Sequence, residues 1–164
     1  LCGFAGLIMF LRQHGDKLYQ RVVAKAWPVA SVALLMVFFG LGAQAYARDV
    51  AIIESEMVAV ARWVEKNTPR DALIAAHDIG ALGYFAGRDL LDLAGLVSPD
   101  VIPFIRDQAR LKAYMRARGA DYLVTFPGWY PDLVAGACPE FKTETPQPLG
   151  LNHENMAVYA LPIP

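Results

Sequence analysis

The sequence predicts a membrane-anchored α/β protein: an N-terminal transmembrane helix with the remnant of another, then a small α/β sandwich with a mostly parallel sheet and an antiparallel edge. Three observations predict it. Residues 27–46, WPVASVALLMVFFGLGAQAY, carry no formal charge, and twenty such residues have the length and chemistry to cross a bilayer as a helix. Stretches of helical periodicity then alternate with short apolar runs from residue 52 to residue 126, the order expected of strands joined by helices. Near the C-terminus FKTET and MAVYAL have the form of an antiparallel pair at a sheet edge.

Composition places the apolar excess locally. The 164 residues are 55% hydrophobic and 19% charged with mean hydropathy +0.31, too apolar for an average soluble domain and too polar for a multi-span chain. Before residue 49 the basic residues are Arg12, Lys17, Arg21, Lys25 and Arg48 against a single acid, Asp16. Four of them precede the uncharged stretch, which puts the N-terminal side in the cytoplasm and residues 49–164 outside the cell membrane. The outer part holds ten of the 15 basic residues and fifteen of the 16 acidic ones. That acidic balance excludes nucleic acid as a partner, because phosphate binding needs a concentrated cationic face. The spaced charges of RLKAYMRAR, residues 110–118, wet one side of a helix instead.

Four segments follow. Residues 1–11, LCGFAGLIMFL, form an apolar run too short to span a bilayer and lack the flanks of a signal peptide; they are expected to be the end of a preceding transmembrane helix. Residues 12–26 form a basic cytoplasmic loop, residues 27–48 a transmembrane helix, and residues 49–164 one compact extracytoplasmic domain with its own core. On this reading the full-length protein is multi-pass, and the lipid bilayer is its first partner.

Within the outer domain, Ile52, Ile53, Met57, Val60, Ala61 and Val64 recur at spacings of three and four with charges between them, a surface helix ending at Asn67. Pro69 enforces the stop by disfavouring helical geometry at the residue before it. ALIAAHD and LLDLAGL are strand candidates bounded by turn chemistry. Ser98 with Pro99 opens the next segment as a cap and first-turn proline. Apolar positions from Ile105 to Met115 continue it as a helix that Gly119 ends, and DYLVTFP is a third strand.

Several chemistries lack their residues. Cys2 lies in the membrane run and Cys138 is alone outside it, so a bridge between them is implausible. The histidines His14, His77 and His153 are scattered, with no CxxC or HExxH spacing, so neither a metal nor any other cofactor is expected. Ser31, Ser55 and Ser98 have no nucleophile-elbow context.

The densest polar feature is HDIGALGYFAGR, residues 77–88, at the end of the first strand, where ligands meet open parallel sheets. Its glycines do not follow GxGxxG; they favour a tight strand-to-helix turn with Asp78 as the cap. His77 and Asp78 are adjacent, and neighbours on a strand point to opposite faces, a poor placement for an acid–base pair. Asp92 falls near the end of the second strand, where hydrogen bonds to the following loop amides suit it better than a ribose. Asp78, Arg88 and Asp92 are expected to share a rim. Trp129 and Tyr130 sit in the rigid PGWYP loop, where ligand contact and ordinary packing both remain open. Asp78, Arg88, Asp92, Trp129 and Tyr130 are therefore the candidate contact residues, and none is assigned a catalytic role.

The run VARWVEKNTPRDALIAAHDIGALGYFAGRDLLDLAGLVSP, followed by a helix and GADYLVTFPGWYP, resembles the C-terminal extracytoplasmic segment of bacterial integral-membrane glycosyltransferases of the GT-C fold class. These are relatives of protein O-mannosyltransferases and aminoarabinose transferases. The likeness covers residues 58–131 and the last span, carried by the order W-x-x-x-N-T-P, D-I-G-x-x-x-Y and D-x-x-G-L. It implies transfer of a sugar from a polyprenyl-phosphate donor to an extracytoplasmic acceptor by the full-length protein. The family's catalytic carboxylate lies in an early outer loop that no position here matches, so the resemblance implies an accessory domain. A standalone anchored binding module is the alternative reading, and a nucleotide-binding enzyme using Asp78, Gly80, Gly83 and Asp92 is a third.

Overall fold

The computed structural model describes residues 18–144 and 154–161, with Gly6 and Met9. The expected helix remnant at residues 1–11 lies outside the described residues apart from those two, both helical. The chain divides into two compact units, Leu1–Ala47 and Arg48–Pro164.

The first unit carries most of helix α1, Leu18–Ile52. Helical geometry begins before the uncharged stretch, so residues 18–26 of the expected loop are helical. The six consecutive side chains from Leu34 to Phe39 are all exposed; they occupy every side of the helix, which marks a helix made for apolar surroundings. Among the described residues this is the one helix long and apolar enough to cross a membrane.

In the second unit the backbone passes through a π-helical turn, Ile53–Val58, into α2, Ala59–Asn67. The π turn changes which residues face the core. Val60, Ala61 and Val64 are buried as their spacing predicts, and an uninterrupted α-helix would place Met57 and Ile53 on the same stripe. One extra residue in the turn moves that stripe by one position. Ile53 is consequently exposed, Ile52 is half-buried, and Glu56 is fully buried.

The sheet contains β1 (Leu73–Ala76), β2 (Asp89–Asp92), β3 (Tyr122–Thr125), β4 (Phe141–Lys142) and β5 (Ala157–Ala160), in the order β2-β1-β3-β5-β4. β1 pairs in parallel with β2 and β3, while β5 pairs antiparallel with both β3 and β4. The sheet is therefore mixed, not mostly parallel. The expected pair of β4 and β5 forms, with β4 at the edge, but β5 also inserts against β3. Its buried run Ala157–Tyr159 suits an interior strand covered on both faces.

Alternation along the strands feeds two cores. Ile74, Ala76, Val124, Phe126 and Val158 face α2 and a second π turn, Leu82–Ala86. Trp63 stacks on Phe141 at 5.2 Å on that side. Ala75, Leu91, Leu123, Ala157 and Tyr159 face the other way, against Val101 of a 3₁₀ turn, Pro99–Phe104, and Leu111 and Met115 of α3, Gln108–Arg118. Helical segments cover both faces, completing the α/β sandwich. Ser98 precedes the 3₁₀ turn but makes no side-chain cap bond. The capping falls to Asp107, which accepts from the Arg110 amide at 3.0 Å and starts α3. Gly119 stops α3 at φ +71°, a conformation that favours glycine.

Two polar fastenings fix α2 against the sheet. At the amino edge of the parallel strands, Arg88 donates to the carbonyls of Glu65 (2.6 Å) and Thr68 (2.8 Å) and to the Thr68 hydroxyl, satisfying acceptors at the helix C-terminus. At the carboxyl edge, Glu56 Oε2 accepts from the Met156 amide at 2.8 Å and from the Thr143 hydroxyl. Met156 precedes Ala157, which lies opposite Thr125 at the end of β3. The helical chain thus reaches the sheet at the carboxyl edge of its parallel strands. Replacing Glu56 leaves buried donors unpaired, so Glu56→Ala is expected to destabilise the second unit by about 2–4 kcal/mol and Glu56→Gln by less. Tryptophan-fluorescence urea titration of the full chain in detergent measures this, and an unchanged midpoint for Glu56→Ala contradicts it.

Candidate functional site

In an open α/β sheet the ligand crevice lies outside the carboxyl ends of the strands where the strand order reverses. Here the chain leaves β1 for β2 on one side and then returns to β3 on the other, so the crevice lies between the ends of β1 and β3. His77 and Asp78 follow β1, and the loop of residues 126–130 follows β3.

These segments meet. His77 Nδ1 and the Tyr130 hydroxyl are 2.7 Å apart, and the Trp129 ring stands edge-on to His77 at 4.9 Å. Trp129 also leans on Phe126 at 5.1 Å and packs against both cores. Tyr130 is buried within the second core, so its ring serves packing and its hydroxyl serves His77. The crevice is filled in large part by the protein's own aromatic loop. The Gly128 amide donates to Glu154, which fastens that loop to the segment leading into β5.

Burial raises the Tyr130 phenol to about 12, and the negative charge of Asp92 adds to the rise. The phenol therefore stays protonated near neutral pH. Nδ1 is the ring nitrogen engaged by Tyr130, and Nε2 is the other hydrogen-bonding atom of His77.

The remaining candidates have structural partners. Asp78 Oδ1 accepts from the Gly80 amide at 3.1 Å, a turn contact two residues on, while the π turn that follows has no side-chain cap. Asp92 is fully buried and accepts from the amides of Ala94 (2.7 Å), Val97 (2.7 Å) and Ser98 (3.4 Å). Desolvation alone would raise its carboxyl, but the amides of Val97, Ala94, Ser98 and Leu96 outweigh that and hold it below the ordinary value. Arg88 is not on this rim. It precedes β2, and because β2 runs parallel to β1, Arg88 lies at the amino edge while Asp78 and Asp92 lie at the carboxyl edge. A cavity of about 320 Å³ opens at that amino edge, lined by Pro69, Asp71, Ala72, Asp121, Tyr122, Ala160 and Leu161. Asp121 is already engaged there by the Leu73 amide at 2.8 Å, and strand topology favours the opposite edge for ligand contact.

The contact between His77 and Tyr130 has no sequence motif behind it, since 53 positions separate them. The only available signal was that each follows the carboxyl end of a strand. Glu56 and Glu154 likewise gave no signal among the charges of their segments.

The chain belongs to the family described as a domain of unknown function (DUF8728), whose model matches residues 35–159. No curated protein and no solved structure matches it. The family match runs from within α1 to within β5, so half of the apolar helix and nearly all of the described sheet lie in one family unit.

The lowered Asp92 carboxyl gives a pH signature. A carboxyl held below its unfolded-state value contributes stability above that value, about 3.9, and loses it as pH falls through the folded-state value. Asp92→Asn is expected to cost about 1–3 kcal/mol at neutral pH, with the difference from wild type shrinking below about pH 4. Urea midpoints at pH 7, 5 and 3 check this; a constant difference contradicts it.

Proposed function

We propose that this chain is the membrane-anchored accessory part of a glycosyltransferase that moves a sugar from a polyprenyl-phosphate carrier to an extracytoplasmic acceptor. In this reading α1 crosses the cell membrane as the last span of a multi-pass protein. Its basic flank at Arg12, Lys17, Arg21 and Lys25 is cytoplasmic, and the unit beginning at Arg48 lies outside. The transfer carboxylate belongs to another part of the full-length protein, and this unit offers a contact surface to the donor or the acceptor.

One observation carries the reading. The carboxyl edge of the parallel strands, where open sheets take ligands, is also the edge at which the helical chain arrives, fastened by Glu56. Glu56 lies eight residues after Arg48, about 12 Å of helical rise. On this proposal, a ligand whose lipid tail remains in the bilayer is met at this edge by His77, Asp78 and the loop carrying Trp129. The structural engagement of Asp78 and Asp92 supports contact at this edge over proton transfer. The family match includes residues of both the apolar helix and the sheet.

The test uses the full chain in nanodiscs containing a diazirine-bearing polyprenyl-phosphate sugar, with adducts mapped by mass spectrometry. Adducts are expected in peptides covering residues 77–80 and 127–130, and an excess of unmodified donor suppresses them. His77→Ala is expected to lower their yield roughly fivefold, the worth of about 1 kcal/mol. Adducts confined to α1 overturn the proposal.

A further inference from the structure

We infer that Leu96, Val97 and Ile102 form an apolar tip that docks this unit onto the bilayer interface. The inference rests on the anchored reading above. Leu96 is 76% exposed, Val97 67% and Ile102 56%, an unusual cost for aliphatic side chains on one short stretch. They stand together because of Gly95. Its backbone has φ +81°, and a Cβ added there would lie 2.6 Å from Ile102 Cγ1. Ile102 therefore lies directly against the loop that carries Leu96 and Val97, and only glycine leaves room for it.

The tip is held from below. Leu93, before the tip, and Val101, between Val97 and Ile102, are fully buried. The buried Asp92 carboxylate binds the amides of Ala94, Val97 and Ser98, fixing the loop while its aliphatic side chains point away from the core. Asp100, two residues before Ile102, is paired with Arg118 at 3.0 Å.

The occupant that fits is lipid. The tip follows the carboxyl end of β2, and Glu56, eight residues after Arg48 where this unit begins, is bonded at that same edge of the sheet. A tether this short keeps the tip at high effective concentration near the bilayer, so weak insertion is enough. Interfacial segments bury their apolar side chains about 5–10 Å into the headgroup boundary, a depth within reach of three adjacent aliphatics. A second copy fits less well, because a stable interface buries roughly 1,200 Å² or more and three side chains fall far short of it. With ten basic and fifteen acidic residues from residue 49 onward, attraction to anionic headgroups contributes little, and docking is expected on a neutral bilayer.

The test places an environment-sensitive fluorophore on single cysteines in the full chain, on a background with Cys2→Ser and Cys138→Ser, in phosphatidylcholine nanodiscs with or without doxyl-labelled lipid. The labelled variants are Leu96→Cys and Ile102→Cys in the tip, Leu35→Cys in α1, and Arg70→Cys at the amino edge. The expected result is quenching of about twofold or more at positions 96 and 102, as at position 35, with none at position 70. If position 35 is quenched while 96 and 102 behave like 70, the tip does not dock although the anchor stands. If position 35 is not quenched, the anchored reading fails and the docking inference with it. Shielding of 96 and 102 from aqueous iodide without lipid quenching assigns the tip to a protein partner and overturns the inference.

Discussion

A fully buried carboxylate, Glu56, holds the helical part of the chain to the sheet. Removing a charge from bulk water is costly unless hydrogen bonds meet it. Glu56 meets that condition through the Met156 amide and the Thr143 hydroxyl, groups just before β5 and just after β4. The requirement reaches outward from there. It depends on the π turn that rotates Glu56 inward, and it fixes which edge of the sheet the chain arrives at. It also ties the residues flanking the two C-terminal strands to the helical segment that carries Glu56. Arg88 fastens the other end of α2 in the complementary sense, a cation on helix carbonyls. Between these two points α2 has one seating on the sheet.

Much of this was legible in the residues. The boundary at Asn67, the strand runs ALIAAHD, LLDLAGL and DYLVTFP, the stop at Gly119 and the antiparallel pairing near the C-terminus each rest on a local rule, and local rules suffice there. Asp92 was legible in the same way, because an acid ending a strand before a glycine loop has amides within reach. What escaped depends on contacts distant in sequence or on an irregular turn. A strict 3.6-residue period places Glu56 among exposed charges, and only the inserted residue of the π turn turns it inward. Arg88 looks close to Asp78 along the chain, yet a parallel crossover separates them by the length of a strand. The insertion of β5 against β3 depends on nonlocal pairing that leaves no periodic trace. Ser98 had the right neighbours for a cap, but its amide is drawn to the Asp92 carboxylate and Asp107 starts the helix instead.

The same geometry changes what the candidate residues mean. Tyr130 and Trp129 close the crevice between β1 and β3 from within, and the protonated phenol holds one side of the His77 ring. The carboxyl edge is consequently held by its own contacts. A surface prepared in this way loses less conformational entropy on contact than a mobile loop would.

The sheet ends on both sides in very short strands. β4 has two residues, with Lys142 exposed, and β2 has four, with Asp89 exposed. Short edges carrying charge resist strand addition by another chain. An open, uncharged sheet edge is a standing route to aggregation. This unit carries its own protection against polymerising edge to edge.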